Sequence, residues 1–379
     1  MQAKTITGKS VEEIQNALQD NISNDFRPTL AIVFCSCGFD YGTIIKMMNA
    51  HEMDIFGATS AGQVIDGKVE KESIVILLLE LNRDYYKVFI EEADEKSVLT
   101  GARNLGRKGI KAFSNPAFII SCSDPHFPGE LIIEGLKEIV PEGTTILGGF
   151  SSDDTTFVDS RVFSNQGVFH KAIIGLVVDA DTISLEGHVV SGWKAVGTTR
   201  TITECKGPWI MTIDNIPAYD ILNKYLGLKV DDQEAKSIYW KTGLNHPWQI
   251  ERPGGSPMLV PPISINLEEK SCLLPQPLPP GTRFKFTVPP DFEFVTEVAT
   301  RAQEVKDQKL PEAEALIVFS CTARLSALGP LMDQEVSGLH NVWSAPSIGL
   351  FCFGEFGSVE GAEPEFHGTT CSWVALKEK

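Results

Sequence analysis

Arg324 and Glu355 offer the most chemistry in this chain. Arg324 follows the apolar run of "LIVFSCTAR", and Glu355 follows the glycine turn of "SIGLFCFGEFG". If the two runs are neighbouring strands, both side chains stand at one sheet edge. An arginine fork grips a carboxylate or phosphate through two parallel hydrogen bonds. A glutamate beside it can hold an ammonium group, so the pair fits a zwitterion such as an amino acid. The plain alternative is an ion pair that fixes the two turns, since ligand sites and structural networks both use such groups. Cys321 stands three residues before Arg324. An adjacent guanidinium or a helix start would lower its pKa and make it a nucleophile. Burial as a small apolar residue is the competing role, and no histidine lies close to it in sequence; His340 and His367 are the nearest. "IFGATSAGQV" carries Thr59 and Ser60 in a near match to the G-x-S-x-G elbow that exposes a catalytic serine.

Two further stretches place hydroxyls and carboxylates at turns. "SCSDPHFPGE" holds Ser121, Ser123 and Asp124 before a helical pattern. Ser123 or Asp124 is expected to cap that helix, or to meet a ligand at its positive end. "GGFSSDDTT" holds Gly149, Ser151, Ser152, Asp153 and Asp154. It lacks the six to eight oxygens that calcium needs and is expected to be a solvated turn. "NHPW" (245–248) and Trp193 are polar-aromatic clusters, which wall a small pocket or, more often, pack a core.

These residues recur within a repeat. "AIVFCSC", "FIISCS" and "LIVFSCTAR" are unbroken apolar runs, as strands buried on both faces require. A helical stretch follows each, most clearly "PGELIIEGLKEIV", where Leu131, Ile132, Leu136 and Val140 share one face. A second strand then ends in a glycine turn: "DIFGATSAG", "TILGGFSSDD", "SIGLFCFGEFG". Cys35, Ser121 and Ser320 correspond, as do Gly57, Gly148 and Gly349. The intervals are long enough for a crossover helix between parallel strands. Each unit closes with another apolar run, beginning at Ser73, Ala172 and Cys371. The fold class expected is α/β of mixed α+β type: tandem β-α-β-β units in mixed sheets flanked by helices, in two domains. Ligands of such folds sit at strand carboxyl ends. The repeat also weakens the elbow: its serine position holds Ser60, Ser151 and Cys352 in the three units, and a nucleophile is normally unique.

The segment from Thr182 to Pro217 reads as successive strands. "AYDILNKYLGL" (218–228) reads as a short helix closed by Gly227, and 291–308 as a helix leading into the third unit. The expected division is a lead-in helix over 1–29, an N-type domain of two units over 30–217, and a C-type domain of one unit over 218–379.

The composition limits the partners. Against 33 Lys and Arg stand 50 Asp and Glu, for a formal charge of -17. An acidic body without a basic cluster repels phosphate backbones and anionic membranes, so no nucleic acid is expected. No apolar run is long enough to span a bilayer. The eight cysteines form no C-x-x-C pair, and the seven histidines no metal-ligating spacing. Reduced thiols, a cytoplasmic location, no catalytic metal and no cofactor are the expectations.

The ordered segments "GATSAG", "GGFSSDD", "VFSNQGVFHKAIIGLVV", "SGWKAVGTTRTITE", "PAYDILNKYLG" and "FSCTAR" with "GLFCFGEFG" resemble the FIST domain family in both its halves. The resemblance runs from about Leu30 to about Ala375. The chain departs from the family near its end: "FHGTTCSWV" has Gly368 where the family tends to His-Asn-x-Thr, which leaves open any role resting on that asparagine. The resemblance implies a sensory domain of intracellular signalling that binds small ligands, such as amino acids. It is joined to F-box segments in eukaryotes and to kinase or chemotaxis modules in prokaryotes. The two halves use almost all of this chain, so a stand-alone sensor that signals through a separate protein is expected. The expected ligand contacts are Thr59, Ser60, Ser121, Ser123, Gly149, Ser151, Cys321, Arg324, Glu355 and Thr369. The alternatives are an enzyme with Cys321 or Ser60 as nucleophile, and an interaction scaffold with an exposed apolar patch.

Overall fold

The structure is a computed structural model that describes residues 1–154, 156–227, 242–289 and 295–379. Three expected features fall partly outside these residues: Thr155 of the 148–156 turn, Leu228 at the end of the helix expected over 218–228, and the first part of the helix expected from 291.

The first repeat unit runs β1 (Gln2–Gly8), α1 (Val11–Asn21), β2 (Leu30–Cys35), α2 (Tyr41–Ala50), β3 (Asp54–Thr59), the hairpin β4 (Gln63–Ile65) and β5 (Lys68–Glu70), and β6 (Ile74–Glu80). The expected lead-in helix is therefore a strand and a helix, and the strand completes the unit's sheet. The second unit repeats this order: β7 (Tyr86–Glu92), α3 (Val98–Ala112), β8 (Pro116–Cys122), α4 (Gly129–Lys137), β9 (Ile146–Gly149), the hairpin β10 (Val162–Ser164) and β11 (Gly167–Phe169), and β12 (Ala172–Asp179).

The third unit opens with β13 (Ile183–Glu186) and β14 (Val189–Val190) and is then interrupted by a separate sheet. That insertion comprises β15 (Lys194–Lys206), β16 (Trp209–Ile213), β17 (Ile216–Pro217), α5 (Ala218–Leu226), β18 (Trp248–Ile250), β19 (Met258–Val260), β20 (Ser264–Asn266), β21 (Ser271–Leu273) and β22 (Arg283–Val288). The unit resumes with α6 (Glu297–Gln308), β23 (Ala315–Cys321), α7 (Thr322–Leu328), α8 (Met332–Trp343), β24 (Ser347–Cys352), the hairpin β25 (Glu355–Gly357) and β26 (Glu365–His367), and β27 (Cys371–Glu378). Residue 217 lies within the inserted sheet, which takes strands from both sides of it.

The three unit sheets have the same order: β1-β6-β2-β3-β10-β11, β7-β12-β8-β9-β25-β26, and β13-β27-β23-β24-β4-β5. In each, the first two apolar runs pair in parallel and the closing run pairs antiparallel. The outer hairpin of each sheet comes from another unit, so the three units exchange hairpins in a closed cycle. At the repeated glycine there is no room for a side chain, for two different reasons: an exchanged hairpin in the first unit and the neighbouring strand of the same unit in the others. Phe163 of β10 lies opposite Gly57, where a Cβ would stand 2.2 Å from the Phe163 ring. A Cβ on Gly148 would stand 2.0 Å from the Ile120 carbonyl oxygen.

Gly57, Gly148 and Gly349 pair with Val33, Ile120 and Val318, so the glycine correspondence holds. The strand-end correspondence shifts by one in the second unit. The amides of Ser36, Ser123 and Cys321 donate to the carbonyls of Ser73, Ala172 and Thr370 in equivalent bonds, which puts Cys122, not Ser121, in line with Cys35 and Ser320.

One face of every sheet packs into a common core, with Phe34, Ile119, Phe319, Leu77, Leu176 and Leu376 among its members. The outer faces are covered by helices: α1 and α2, then α3 and α4, then α6 and α8. With both faces buried, β2, β8 and β23 are apolar at nearly every position, and each buried Phe, Leu or Ile contributes about 1.5–3 kcal/mol.

Candidate functional site

The carboxyl ends of β3, β9 and β24 meet at the centre of the cycle. The Ser60 hydroxyl accepts from the Phe351 amide at 2.9 Å and donates to the Gly62 carbonyl. The Ser151 hydroxyl donates to the Cys122 carbonyl at 2.9 Å. Ser152 binds both other turns: its amide donates to the Thr59 carbonyl at 3.0 Å, its hydroxyl accepts from the Ala61 amide at 2.9 Å and donates to the Phe351 carbonyl. The Thr59 hydroxyl accepts from the Arg161 amide at 2.8 Å. Thr59, Ser60, Ser151 and Ser152 are wholly buried. A serine with its hydroxyl engaged by backbone and closed from solvent is not a nucleophile elbow, so Ser60 joins the architecture.

Gly149 belongs to the same junction: a Cβ there would stand 2.9 Å from the Cys352 sulfur. Ser121 is buried in β8. Ser123 does not cap α4; its hydroxyl accepts from the Ala172 amide at 2.9 Å and so ties β8 to β12. α4 starts after Pro128 with no side-chain cap, and Asp124 accepts from the His126 amide instead. The expected solvated turn at 151–156 also proves different. Asp153 is buried and accepts from the amides of Thr156, Phe157, Val158 and Asp159 and from the Thr156 hydroxyl. Burial pushes this carboxyl up, but these bonds outweigh it and leave it below its ordinary value.

Arg324 and Glu355 do not pair. The Arg324 fork is taken by Glu335 of α8, with Nε donating to Oε1 at 2.8 Å and Nη2 to Oε2, while Nη1 donates to the Ser191 carbonyl at 2.6 Å. Both side chains are essentially buried. This ion pair locks α7 and α8 onto the chain before the inserted sheet. Only the residue spacing pointed to Glu355; Glu335, eleven residues on within a helix, carried no such signal.

Glu355 has other partners. Its Oε1 accepts from the Cys352 thiol at 3.0 Å, and its Oε2 from the Thr370 hydroxyl at 2.7 Å and amide at 3.1 Å. It is wholly buried, and burial pushes its carboxyl up to about 7 against these hydrogen bonds. Burial and the charge of Glu355 in turn push the Cys321 thiol up. Thr369, beside them, has a left-handed backbone (φ 59°), uncommon for a β-branched residue. Its buried hydroxyl has no hydrogen-bond partner among the described residues.

Cys321 and Thr369 open onto a cavity of about 700 Å³ between the third unit, the β8–α4 loop and the inserted sheet. Met258, Leu259 and Val260 of β19 form one wall, and Phe150, Phe157, Phe353 and Phe366 another. The polar side chains of the lining are His126, Glu130, Glu251, Arg252, Gln276, Thr282, Thr322 and Ser326, besides Cys321 and Thr369. Nη2 of Arg252 donates to the Phe366 carbonyl and lies 4.0 Å from Glu130, and Nη1 lies 3.8 Å from Glu365, so neither carboxylate closes a fork on it. Apolar walls with a few convergent polar groups are the usual make-up of small-molecule sites. A larger cleft of about 1230 Å³ runs from Lys9 and Lys71 to Asp333, but it is open, and Lys9 is already held by Glu70 and the Lys71 carbonyl. Trp193 and the 245–248 cluster serve packing. Trp193 donates to the Asn245 carbonyl at 3.0 Å, and Trp248 stacks on Phe284 at 4.3 Å.

Sequence reasoning missed Arg252, Glu130 and the β19 wall. They come from the inserted sheet and a helix start, and only the apolar "SPMLVPP" among prolines marked the segment. Among the described residues no cluster of His, Cys, Asp and Glu is arranged to hold a metal ion, and no helix is long and apolar enough to cross a membrane.

The fold and cavity define an α/β protein of three hairpin-exchanging units whose third unit borders a ligand-sized chamber. Residues 29–216 match the FIST N domain and residues 218–358 the FIST C domain, and the chain belongs to the FIST family. It is similar to two uncharacterized proteins of Mycobacterium tuberculosis, MT0656 of strain CDC 1551 / Oshkosh and Rv0628c of strain ATCC 25618 / H37Rv. Each is 25% identical over 263 residues, which cover 66% of this chain and 65% of the relative. FIST domains are generally associated with sensory signal transduction and small-ligand binding.

Proposed function

We propose that the cavity beside Cys321 and Thr369 is the sensory site, and that it takes a small apolar ligand with an acid or zwitterionic head, such as a hydrophobic amino acid or a related carboxylic acid. The observation that carries this reading is the cavity itself: apolar walls, an unpartnered buried Thr369 hydroxyl, and Arg252 with Glu130 at one side. The zwitterion recognition expected of Arg324 and Glu355 passes to Arg252 and Glu130. Arg252 receives the carboxylate and Glu130 the ammonium group, while the apolar part lies against β19. Of the expected contacts, Cys321 and Thr369 touch the ligand.

A separate signalling protein reads the occupied site. Eight free cysteines fit a reducing, cytoplasmic compartment. The scaffold alternative gains no support: the exposed large apolar side chains among the described residues are Ile110, Val158, Ile216 and Val359, spread over four segments. The test is a thermal-shift screen of the purified protein with the standard amino acids and short carboxylic acids. Stabilisation by hydrophobic members that is lost in Arg252→Gln supports the reading. No shift with any of them, in a protein that carries no co-purified small molecule by native mass spectrometry, overturns it.

A further inference from the structure

The chemistry at the cavity floor exceeds what holding a ligand requires. Cys321 faces the cavity with 6% of its surface exposed, and Glu355 stands behind it, wholly buried and outside the cavity lining. Glu355 is anchored by Thr370 and Cys352, and Cys352 pairs in register with Cys321, so the carboxyl is held beside the strand ends that carry the two thiols. The Thr369 hydroxyl lines the same cavity with no partner. A nucleophile, a positioned base and a free donor thus meet at one end of an apolar chamber, which is the constellation of covalent acyl catalysis.

We propose that Cys321 is a nucleophile that accepts an acyl group from an activated carboxylic acid, a thioester or ester with an apolar chain, bound in this cavity, with Glu355 as its general base and Thr369 as donor to the carbonyl oxygen. This rests on the cavity being the ligand site. In the step, the thiol proton passes to the Glu355 carboxylate as Sγ attacks the carbonyl carbon. The carbonyl π pair moves onto oxygen, towards the Thr369 hydroxyl. As it returns, the bond to the leaving thiol or alcohol breaks, and that group takes the proton from Glu355. The products are S-acyl-Cys321 and a free thiol or alcohol, with no change of oxidation state. Cys321 is pushed up by burial and so is protonated at neutral pH. It needs a base to react, and a carboxyl raised to about 7 is matched to that task.

The first two units lack this constellation. Their equivalents of Cys321 are Ser36 and Ser123, and Ser123 is occupied with Ala172.

The test incubates the whole protein with the octanoyl thioester of N-acetylcysteamine and follows it by intact and peptide mass spectrometry, with octanoate binding measured by calorimetry in parallel. One octanoyl group on Cys321 is expected, absent in Cys321→Ser and slowed about 10²-fold in Glu355→Gln, the scale of general-base catalysis. Both variants are near-isosteric, and circular dichroism melting confirms their fold. Octanoate binding without acylation of Cys321, or acylation no faster than at the more exposed Cys37 and Cys205, overturns this proposal and leaves the ligand site standing. Neither binding nor acylation overturns both. Unchanged labelling in Glu355→Gln removes the base and with it the mechanism.

Discussion

At the end of its second parallel strand the first unit carries Ser60, the second Ser151 and the third Cys352. The surrounding backbone is equivalent, but the chemistry differs. Ser60 and Ser151 spend their hydroxyls on backbone carbonyls and amides, and the turns close on one another. The Cys352 thiol keeps the equivalent backbone partner, the Ser320 carbonyl at 3.3 Å, but also reaches Glu355 at 3.0 Å, whose other oxygen meets the chain leading to β27, and the neighbouring Cys321 and Thr369 open onto the cavity. The difference follows from what each unit packs against. Each unit is covered by its own helices, but the third also carries the inserted sheet, which leaves an apolar chamber above its strand ends. A repeat can thus build a rigid junction twice and use the third copy as a site.

The largest effect expected from breaking this comparison lies at Arg324. The first two units have no charged pin at this place, and removing one partner of a buried pair strands the other charge. Arg324→Ala should cost about 3–5 kcal/mol by denaturant unfolding, and Arg324→Met with Glu335→Leu should recover most of it. Full stability in Arg324→Ala would mean that the pin contributes nothing.

Glu355 gives the next effect, through pH. Its folded pKa of about 7 stands above its ordinary 4.5, so its contribution is fully present below pH 4.5 and is lost as pH rises through 7. Wild type should therefore lose on the order of 2–3 kcal/mol relative to Glu355→Gln across that window. Parallel unfolding curves at pH 4.5, 6 and 8 check this, and a constant difference contradicts it.

Smaller effects separate junction from site. Ser60→Ala and Ser151→Ala should each cost about 1–2 kcal/mol and leave any ligand-induced thermal shift intact. Thr369→Val should do the reverse. Removing an unpartnered hydroxyl leaves stability within about 1 kcal/mol, while the shift from a hydrophobic acid falls. Loss of the shift in the serine variants instead would move the site to the central junction.

Much of the architecture was legible because it rests on local signals. Unbroken apolar runs marked β2, β8 and β23, and glycines at one recurring place marked the strands that receive a foreign hairpin. The exchange itself was hidden, since the pairing of Val64 with Gly349 or Phe356 with Gly148 joins distant segments that look like ordinary hairpins. The site was only half legible. Cys321, Glu355 and Thr369 stood at strand ends and were within reach of sequence reasoning. Their partners were not: Glu335 sits in the first turn of α8, and Arg252 lies among prolines of an insertion whose docking depends on the whole fold. Ser60 and Thr59 had the right types but no access, and burial is not written in a turn motif.

The most direct test of the site is a crystal structure of the protein grown with the strongest stabilising compound from the amino-acid and carboxylic-acid screen. The account predicts density for its apolar part between β19 and the Cys321–Thr369 wall, with its acid group at Arg252. Density at the junction of Ser60, Ser151 and Cys352, or in the open cleft by Lys9 and Lys71, with the cavity empty, would contradict it.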